Sequence, residues 1–136
     1  MLSDSHAHLT LEHFDPDRDE VIARARAAGI ARLVTVSSFI GDAAACAELA
    51  AQHEFLYFTA GVHPHEAKNW TPEVAQSIRQ AAALPKAVAI GEIGLDYHYD
   101  FSPREDQRRV FREQIALARD LRLPIVIHTR EAWDDT

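Results

Sequence analysis

The sequence predicts an α/β fold in which five strands alternate with four helices around a parallel sheet. Apolar or β-branched runs such as Leu33–Val36 and Ala87–Ile90 recur between longer segments whose apolar residues repeat at helical spacing. Continuously apolar strands that alternate with helices are typical of a parallel sheet covered on both faces. The alternation alone leaves two architectures open, a doubly wound sheet and a barrel.

Five strands are expected along the chain, each bounded by turn residues or by the end of a helix. In order they are Leu2–His8, Leu33–Val36, Phe55–Val62, Ala87–Glu92 and Pro124–His128. Glycine and proline at Gly61–Pro64 indicate a sharp turn after the third strand. The sequence contains no linker, repeat or low-complexity segment, so residues 1–136 are expected to form one domain.

The helix starts are predicted from capping residues. Asp15-Pro16 and Thr71-Pro72 each place a cap residue before a proline, which is favoured at the first helical position. The alanine-rich second helix is expected to begin at Gly41-Asp42. Ser102-Pro103 is expected to begin the fourth helix, with Glu105 placed as in a capping box.

Composition and charge restrict the class of protein. The net charge of −7 argues against a broad basic surface for nucleic acid, although a strand end held by metal ions remains compatible with it. The single cysteine, Cys46, excludes an internal disulfide, so a reducing, cytoplasmic setting is expected. Because Cys46 lies among alanines, it is interpreted as a core residue. No signal peptide and no membrane span are expected, because no apolar run approaches ~18 residues.

The segment Asp4-Ser5-His6-Ala7-His8 is the strongest single indication of chemistry. Residues two apart on a strand point to the same face, so His6 and His8 would direct both imidazoles to one place. Imidazole is a good ligand for zinc, manganese or iron. Asp4 shares that face and could join the two rings or orient them. A surface strand with two histidines is the structural alternative.

Further polar residues follow the later strands. His63 and His65 follow the third strand, Glu92 ends the fourth and His128 ends the fifth. A carboxylate between glycines after an apolar strand would be costly to bury alone, so Glu92 is expected to have a metal or cationic partner. In an α/β barrel, residues at the carboxyl ends of several strands build the active site.

Several of the polar residues have competing interpretations. His128 on an apolar strand could be a core histidine, but Arg130 two residues later favours a site that faces an anion. Asp96 is expected to cap a turn rather than to bind a ligand. His13, His53 and His98 are interpreted as surface, capping or loop residues.

Four stretches together resemble the TatD family of metal-dependent deoxyribonucleases, within the wider group of amidohydrolase-like barrel hydrolases. They are Asp4-Ser5-His6-Ala7-His8-Leu9, Gly61-Val62-His63-Pro64-His65, Gly91-Glu92-Ile93-Gly94-Leu95-Asp96-Tyr97 and Pro124–Asp134. The resemblance implies a (β/α)8 TIM barrel, of which the chain would hold the first five strands and four helices. Such a barrel takes ~250 residues, so the chain is expected to be a partial TIM-barrel domain with open apolar edges at its first and fifth strands.

The resemblance also implies roles for individual residues. His6, His8, Glu92 and His128 match the family's metal ligands, with Glu92 as the bridging and catalytic carboxylate. His63, His65 and Arg130 match positions near the substrate phosphate. The cofactors would be two divalent ions of magnesium, manganese or zinc. Two further ligands of the family, a histidine beyond the sixth strand and an aspartate near the eighth, have no match in these 136 residues.

The function implied for the parent enzyme is a 3′-5′ exodeoxyribonuclease that cleaves phosphodiester bonds at single-stranded DNA ends. One alternative is a hydrolase of esters or amides, such as a D-aminoacyl-tRNA deacylase, that uses the same metals. A second is a non-catalytic metal-binding module, which the unmatched ligands favour for the chain by itself.

Overall fold

The computed structural model describes residues 1–136 as one parallel sheet with strand order β1-β2-β3-β4-β5. The strands are β1 Leu2–Ala7, β2 Ile30–Thr35, β3 Leu56–Ala60, β4 Ala87–Asp96 and β5 Ile125–Arg130. Every strand pairs with its successor in the chain. A doubly wound sheet would reverse its strand order at a switch point. The sequential strand order therefore identifies the fold as a barrel, of which the chain forms about half.

Four helices connect the strands, and two short 3-10 turns follow β1 and β3. The helices are α1 Arg18–Ala27, α2 Asp42–Gln52, α3 Pro72–Ala82 and α4 Arg104–Leu121, and the turns are Glu12–Phe14 and Pro64–Asn69. None of the helices is both long enough and apolar enough to cross a membrane.

The core lies between the sheet and the helices that cover its outer side. Ile22 of α1, Ile78 of α3 and Val110 of α4 are fully buried against strand residues such as Leu56 and Ile90. Cys46 also belongs to this core, as expected. The edge strands are less covered: Leu2 of β1 is 61% exposed and Ile127 of β5 is 46% exposed, which agrees with the open apolar edges predicted from the sequence.

Several element boundaries differ from the sequence prediction; β2, for example, begins at Ile30 rather than Leu33. Strand β4 continues to Asp96, because its last residues pair with β5 as far as Arg130. Helix α1 begins at Arg18, with Asp17 rather than Asp15 at its cap. The expected capping box at the start of α4 is wrong: Pro103 occupies the cap, while the Ser102 hydroxyl donates to the carbonyl of His65 at 2.7 Å.

Candidate metal centre

Side chains that lie in or just after the five strands line one open cleft of about 420 Å³. Because the strands are parallel, their carboxyl ends meet at the same edge of the sheet. The cleft is lined by His8, Leu11, Ser38, Phe39, His63, His65, Glu66, Glu92 and His128. The structure thus brings together the histidines and the glutamate that the sequence singled out.

His6 and His8 face each other and Glu92 at the end of β1. Their Nε2 atoms are 3.2 Å apart, and each lies 3.5 Å from Oε2 of Glu92. The three side chains form a group whose potential ligand atoms all lie within 4.8 Å of one another. Asp4 does not join them: its carboxylate accepts the backbone N–H of His6 at 3.1 Å.

A hydrogen bond fixes which nitrogen His8 presents to the cleft. Nδ1 of His8 donates to the carbonyl oxygen of Val36 at 2.9 Å. In a neutral ring this leaves the lone pair on Nε2, the atom that faces His6 and Glu92. A second hydrogen bond of this kind is what orients histidine ligands in known metal sites.

Glu92 presents its two oxygens to different partners. Oε2 faces His6 and His8, whereas Oε1 accepts from Nδ1 of His128 at 3.2 Å. The residue is 7% exposed. Burial by itself would raise the pKa of the Glu92 carboxyl, but the hydrogen bond from His128 and the neighbouring histidines lower it below its ordinary value. Glu92 is therefore a buried anion between two histidine groups.

His128 lies between two carboxylates. Its Nδ1 contacts Glu92, and its Nε2 contacts Oδ2 of Asp96 at 3.0 Å. The hydrogen bonds to Glu92 and Asp96 raise the pKa of His128 above its ordinary value despite partial burial. A ring that donates from both nitrogens is an imidazolium, so a metal ion could bind this histidine only by displacing a proton.

Asp96 is the site residue that the sequence reasoning missed. Oδ2 accepts from His65 at 2.9 Å as well as from His128, while Oδ1 accepts the N–H groups of His98 and Tyr99. Burial would raise the pKa of Asp96, but these bonds, led by the one from Tyr99, lower it to about 2. Asp96 therefore caps the turn, as expected, and also holds two site histidines. Asp96 follows Glu92 by four residues, and on one strand this spacing puts both side chains on the same face. This spacing was the sequence signal that could have identified Asp96 as a site residue.

His63 is suited to donate a hydrogen bond rather than to bind a metal. Its Nδ1 accepts the backbone N–H of His65 at 3.2 Å. Burial, with the nearby rings of His128 and His65, lowers the pKa of His63 to about 3, so the ring is neutral at pH 7. Its one proton is then on Nε2. His63 also lies within 4.8 Å of Glu92 and His128 as a potential ligand, but a protonated nitrogen has no lone pair for an ion.

Arg130 leaves β5 at the rim of the cleft. Its guanidinium carbon lies 4.8 Å from the centre of the Tyr99 ring, within the range of a cation–π contact. The side chain forms no ion pair in this structure. The structure therefore places the predicted substrate-side arginine beside an aromatic residue at the edge of the histidine cluster.

Two buried glutamines of α4 hold the strand ends from behind. Gln107 accepts the backbone N–H of Asp96 at 2.7 Å and donates to its carbonyl oxygen at 3.0 Å. Gln114 makes the same pair of bonds with Val62, at 2.8 and 3.0 Å. The amide side chains thus pair with backbone as a neighbouring strand would. The two glutamines therefore fix the backbone of Val62, next to His63, and of Asp96.

We expect Gln107→Leu to destabilise the protein by roughly 3 kcal/mol or more. It would leave the N–H and carbonyl of Asp96 and the carbonyl of Ser102 buried without partners, and each such group costs ~1–3 kcal/mol. Urea unfolding measures the effect. Gln80→Leu on the exposed side of α3 is the control, and an equal loss in both variants would contradict the prediction.

A half barrel with histidines and carboxylates at the carboxyl ends of its strands has the arrangement of the barrel hydrolases that use metal ions. The chain belongs to the TatD family: the model of the family described as TatD related DNase matches residues 3–136.

Curated relatives and solved structures agree with this assignment. The chain is 45% identical over 135 residues to an uncharacterized metal-dependent hydrolase, YabD, of Bacillus subtilis, covering 99% of this chain and 53% of the relative. It is 42% identical over 128 residues to the 3'-5' ssDNA/RNA exonuclease TatD of a Rahnella species, covering 93% and 49%. The crystal structure of the TatD homologue YJJV from Escherichia coli has a TM-score of 0.89 at 30% identity, over 98% of this chain and 52% of that one. The chain thus spans about half the length of these relatives.

Proposed function

We propose that the cluster binds two divalent metal ions and that Glu92 bridges them. The observation that carries this proposal is the arrangement around Glu92, whose Oε2 faces His6 and His8 while Oε1 faces His128. One carboxylate with a separate histidine group at each oxygen is suited to bridge two ions. The orientation of His8 by Val36 supports its role as a ligand. Nitrogen and carboxylate donors suit zinc or manganese, and magnesium favours the oxygens.

The proposed reaction is phosphodiester hydrolysis. Metal ions bound here would supply Lewis acidity toward a phosphate oxygen and an activated water. The chain's own residues position the reaction: Glu92 holds the ions, and Nε2 of His63 offers a neutral hydrogen bond to a phosphate oxygen. His65, held by Asp96, and Arg130 complete the phosphate side. A guanidinium is suited to this task because its planar donors match phosphate oxygens.

The proposed substrate is the 3′ end of single-stranded DNA, shortened by exonuclease action. Support comes from family membership and from the TatD relatives named as 3'-5' ssDNA/RNA exonucleases. The net charge of −7 fits an enzyme that holds a strand end through metals rather than along a basic groove. We also propose that residues 1–136 act as one partial-barrel domain and that the protein is cytoplasmic.

The test uses two proteins. The 136-residue chain alone is expected to bind divalent metal weakly and to hydrolyse little, because two ligands of the family have no match in it. A chimera with the second half of Bacillus subtilis YabD is expected to shorten 5′-labelled single-stranded DNA stepwise with Mg²⁺ or Mn²⁺.

Substrate choice separates the alternatives. In the chimera, Arg130→Ala is expected to lower DNA cleavage by about tenfold or more, since a charge-assisted bond is worth ~1.5–3 kcal/mol. DNA cleavage by the Arg130→Ala variant at the wild-type rate would contradict the proposed contact between Arg130 and a substrate phosphate. Hydrolysis of a D-aminoacyl-tRNA without DNA cleavage would replace the nuclease by a deacylase. Metal binding without turnover in the chimera would favour a non-catalytic module.

Metal affinity is expected to rise with pH through the raised pKa of His128. Because the pKa of His128 is raised in the folded protein, its imidazolium stabilises the metal-free fold at pH values below the pKa of the unfolded chain, ~6.5. This stabilisation is lost as the pH rises through the folded pKa. A metal at His128 must displace this proton. Calorimetric zinc titrations in buffers of different ionisation enthalpy count the protons released. At a pH below that pKa, the His128→Asn variant should release about one proton fewer than the wild type on binding zinc. An unchanged number of released protons would contradict the role of His128 as a ligand.

A further inference from the structure

The loop between β4 and α4 carries two exposed aromatic side chains at the rim of the cleft. Tyr99 is 47% exposed and Phe101 is 53% exposed. Their rings are nearly parallel, with an interplanar angle of 7° and centroids 5.1 Å apart. The guanidinium of Arg130 adds a third planar group, 4.8 Å from the Tyr99 centroid. We call Tyr99, Phe101 and Arg130 the stacking platform.

The stacking platform is continuous with the candidate metal centre. The ring centroid of His65 lies 4.8 Å from that of Phe101 and 5.7 Å from that of Tyr99, perpendicular to both rings. His65 in turn shares Asp96 with His128. The backbone N–H of Tyr99 donates to the same carboxylate, so one buried aspartate fixes both the histidines and the loop that carries the aromatic rings.

Burial does not account for this arrangement. About half of the surface of each of these two residues is open, although large apolar side chains gain most from being covered. A fold that needed only to close this loop would be served by the bonds to Asp96. Exposed, parallel aromatic rings beside an arginine are the elements with which proteins hold unpaired bases, because every base has a π-face.

We propose that the stacking platform binds an unpaired nucleobase of a single-stranded nucleic acid, next to the phosphate at the candidate metal centre. This inference rests on the proposed function and extends it to the bases. The rings would stack with a base and Arg130 would pair with a neighbouring phosphate, without a sequence-specific contact. A base inside a duplex has both faces covered by its neighbours, so the stacking platform favours unpaired bases. It also compensates for the absence of a basic groove in a chain with a net charge of −7.

The test compares the affinity of the chain for two labelled oligomers of equal length by fluorescence anisotropy, with Mn²⁺ and with EDTA. One is a single-stranded thymidylate oligomer, and the other carries abasic tetrahydrofuran units on the same backbone. The wild-type chain is expected to favour the base-bearing oligomer by at least about fivefold for one stacked base. Tyr99→Leu and Phe101→Leu should bring this ratio close to one. Tyr99→Phe and Phe101→Trp should retain it.

Phe55→Leu is the matched control. Phe55 also lies beneath an arginine, Arg26, at 5.0 Å, but it precedes β3 at the opposite end of the sheet, so its loss should leave the ratio unchanged. A wild-type ratio near one, or a ratio that both Leu variants retain, would overturn the stacking platform. Manganese-dependent binding of the abasic oligomer reports on the proposed metal centre separately, so failure of that function is distinguishable from failure of the platform.

Discussion

Gly94→Ala is expected to destabilise the protein by about 4 kcal/mol or more and to displace His128. A Cβ built on Gly94 would lie 1.9 Å from the backbone oxygen of His128, far inside contact distance. The two residues are partners in the β4–β5 ladder, so neither can move without breaking the pairing that brings His128 to Glu92. Urea unfolding measures the stability, and a zinc titration measures whether the site survives.

Gly29→Ala separates this clash from backbone strain. Gly29 has a φ of +92° and Gly94 a φ of +146°, both unfavourable for alanine, but a Cβ on Gly29 would meet nothing within 4 Å. Strain alone should cost roughly 1–2 kcal/mol. A Gly94→Ala protein as stable as Gly29→Ala, with zinc affinity unchanged, would show that the sheet accommodates the methyl group.

Glu92→Gln is expected to weaken binding of Mn²⁺ or Zn²⁺ by at least about 100-fold. The variant keeps the shape of the side chain but removes the charge that faces His6, His8 and His128. Partners that merely orient a ligand are already worth 10–100-fold in metal affinity, and a bridging carboxylate would affect both ions. Isothermal titration calorimetry gives the affinity and the number of ions bound.

Glu66→Gln is the control for loss of one negative charge from the same cleft. Glu66 lines the cleft, and its carboxylate accepts only from Asn69, at 3.4 Å. The affinity of Glu66→Gln for metal should stay within a fewfold of the wild type, because Glu66 is partly exposed and solvent screens its charge. Equal losses in the two variants would mean that the cleft attracts cations only through its overall charge, which would contradict specific ligation by Glu92.

The contacts around Asp96 show where sequence reasoning reached its limit. Its register after Glu92 puts both carboxylates on one strand face, but only if β4 continues past Glu92, where the sequence prediction ended the strand. Pairing with β5 as far as Arg130 extends the strand. That pairing joins segments more than thirty residues apart, and no local propensity reports on it.

The sequence by itself determined the alternation of strands and helices, the apolar core and the placement of His6, His8, Glu92 and His128 in or directly after strands. These follow from local periodicity and from the rule that parallel strands place their carboxyl ends together. Only the tertiary structure decided that the strand order is sequential, that His8 presents Nε2 to the cleft, that Nδ1 of His63 is an acceptor, and that Gln107 and Gln114 hold the strand ends. The strand order, the orientation of His8 and the two glutamine contacts depend on hydrogen bonds between distant segments, and a hydrogen bond has a direction and a distance that residue spacing does not encode.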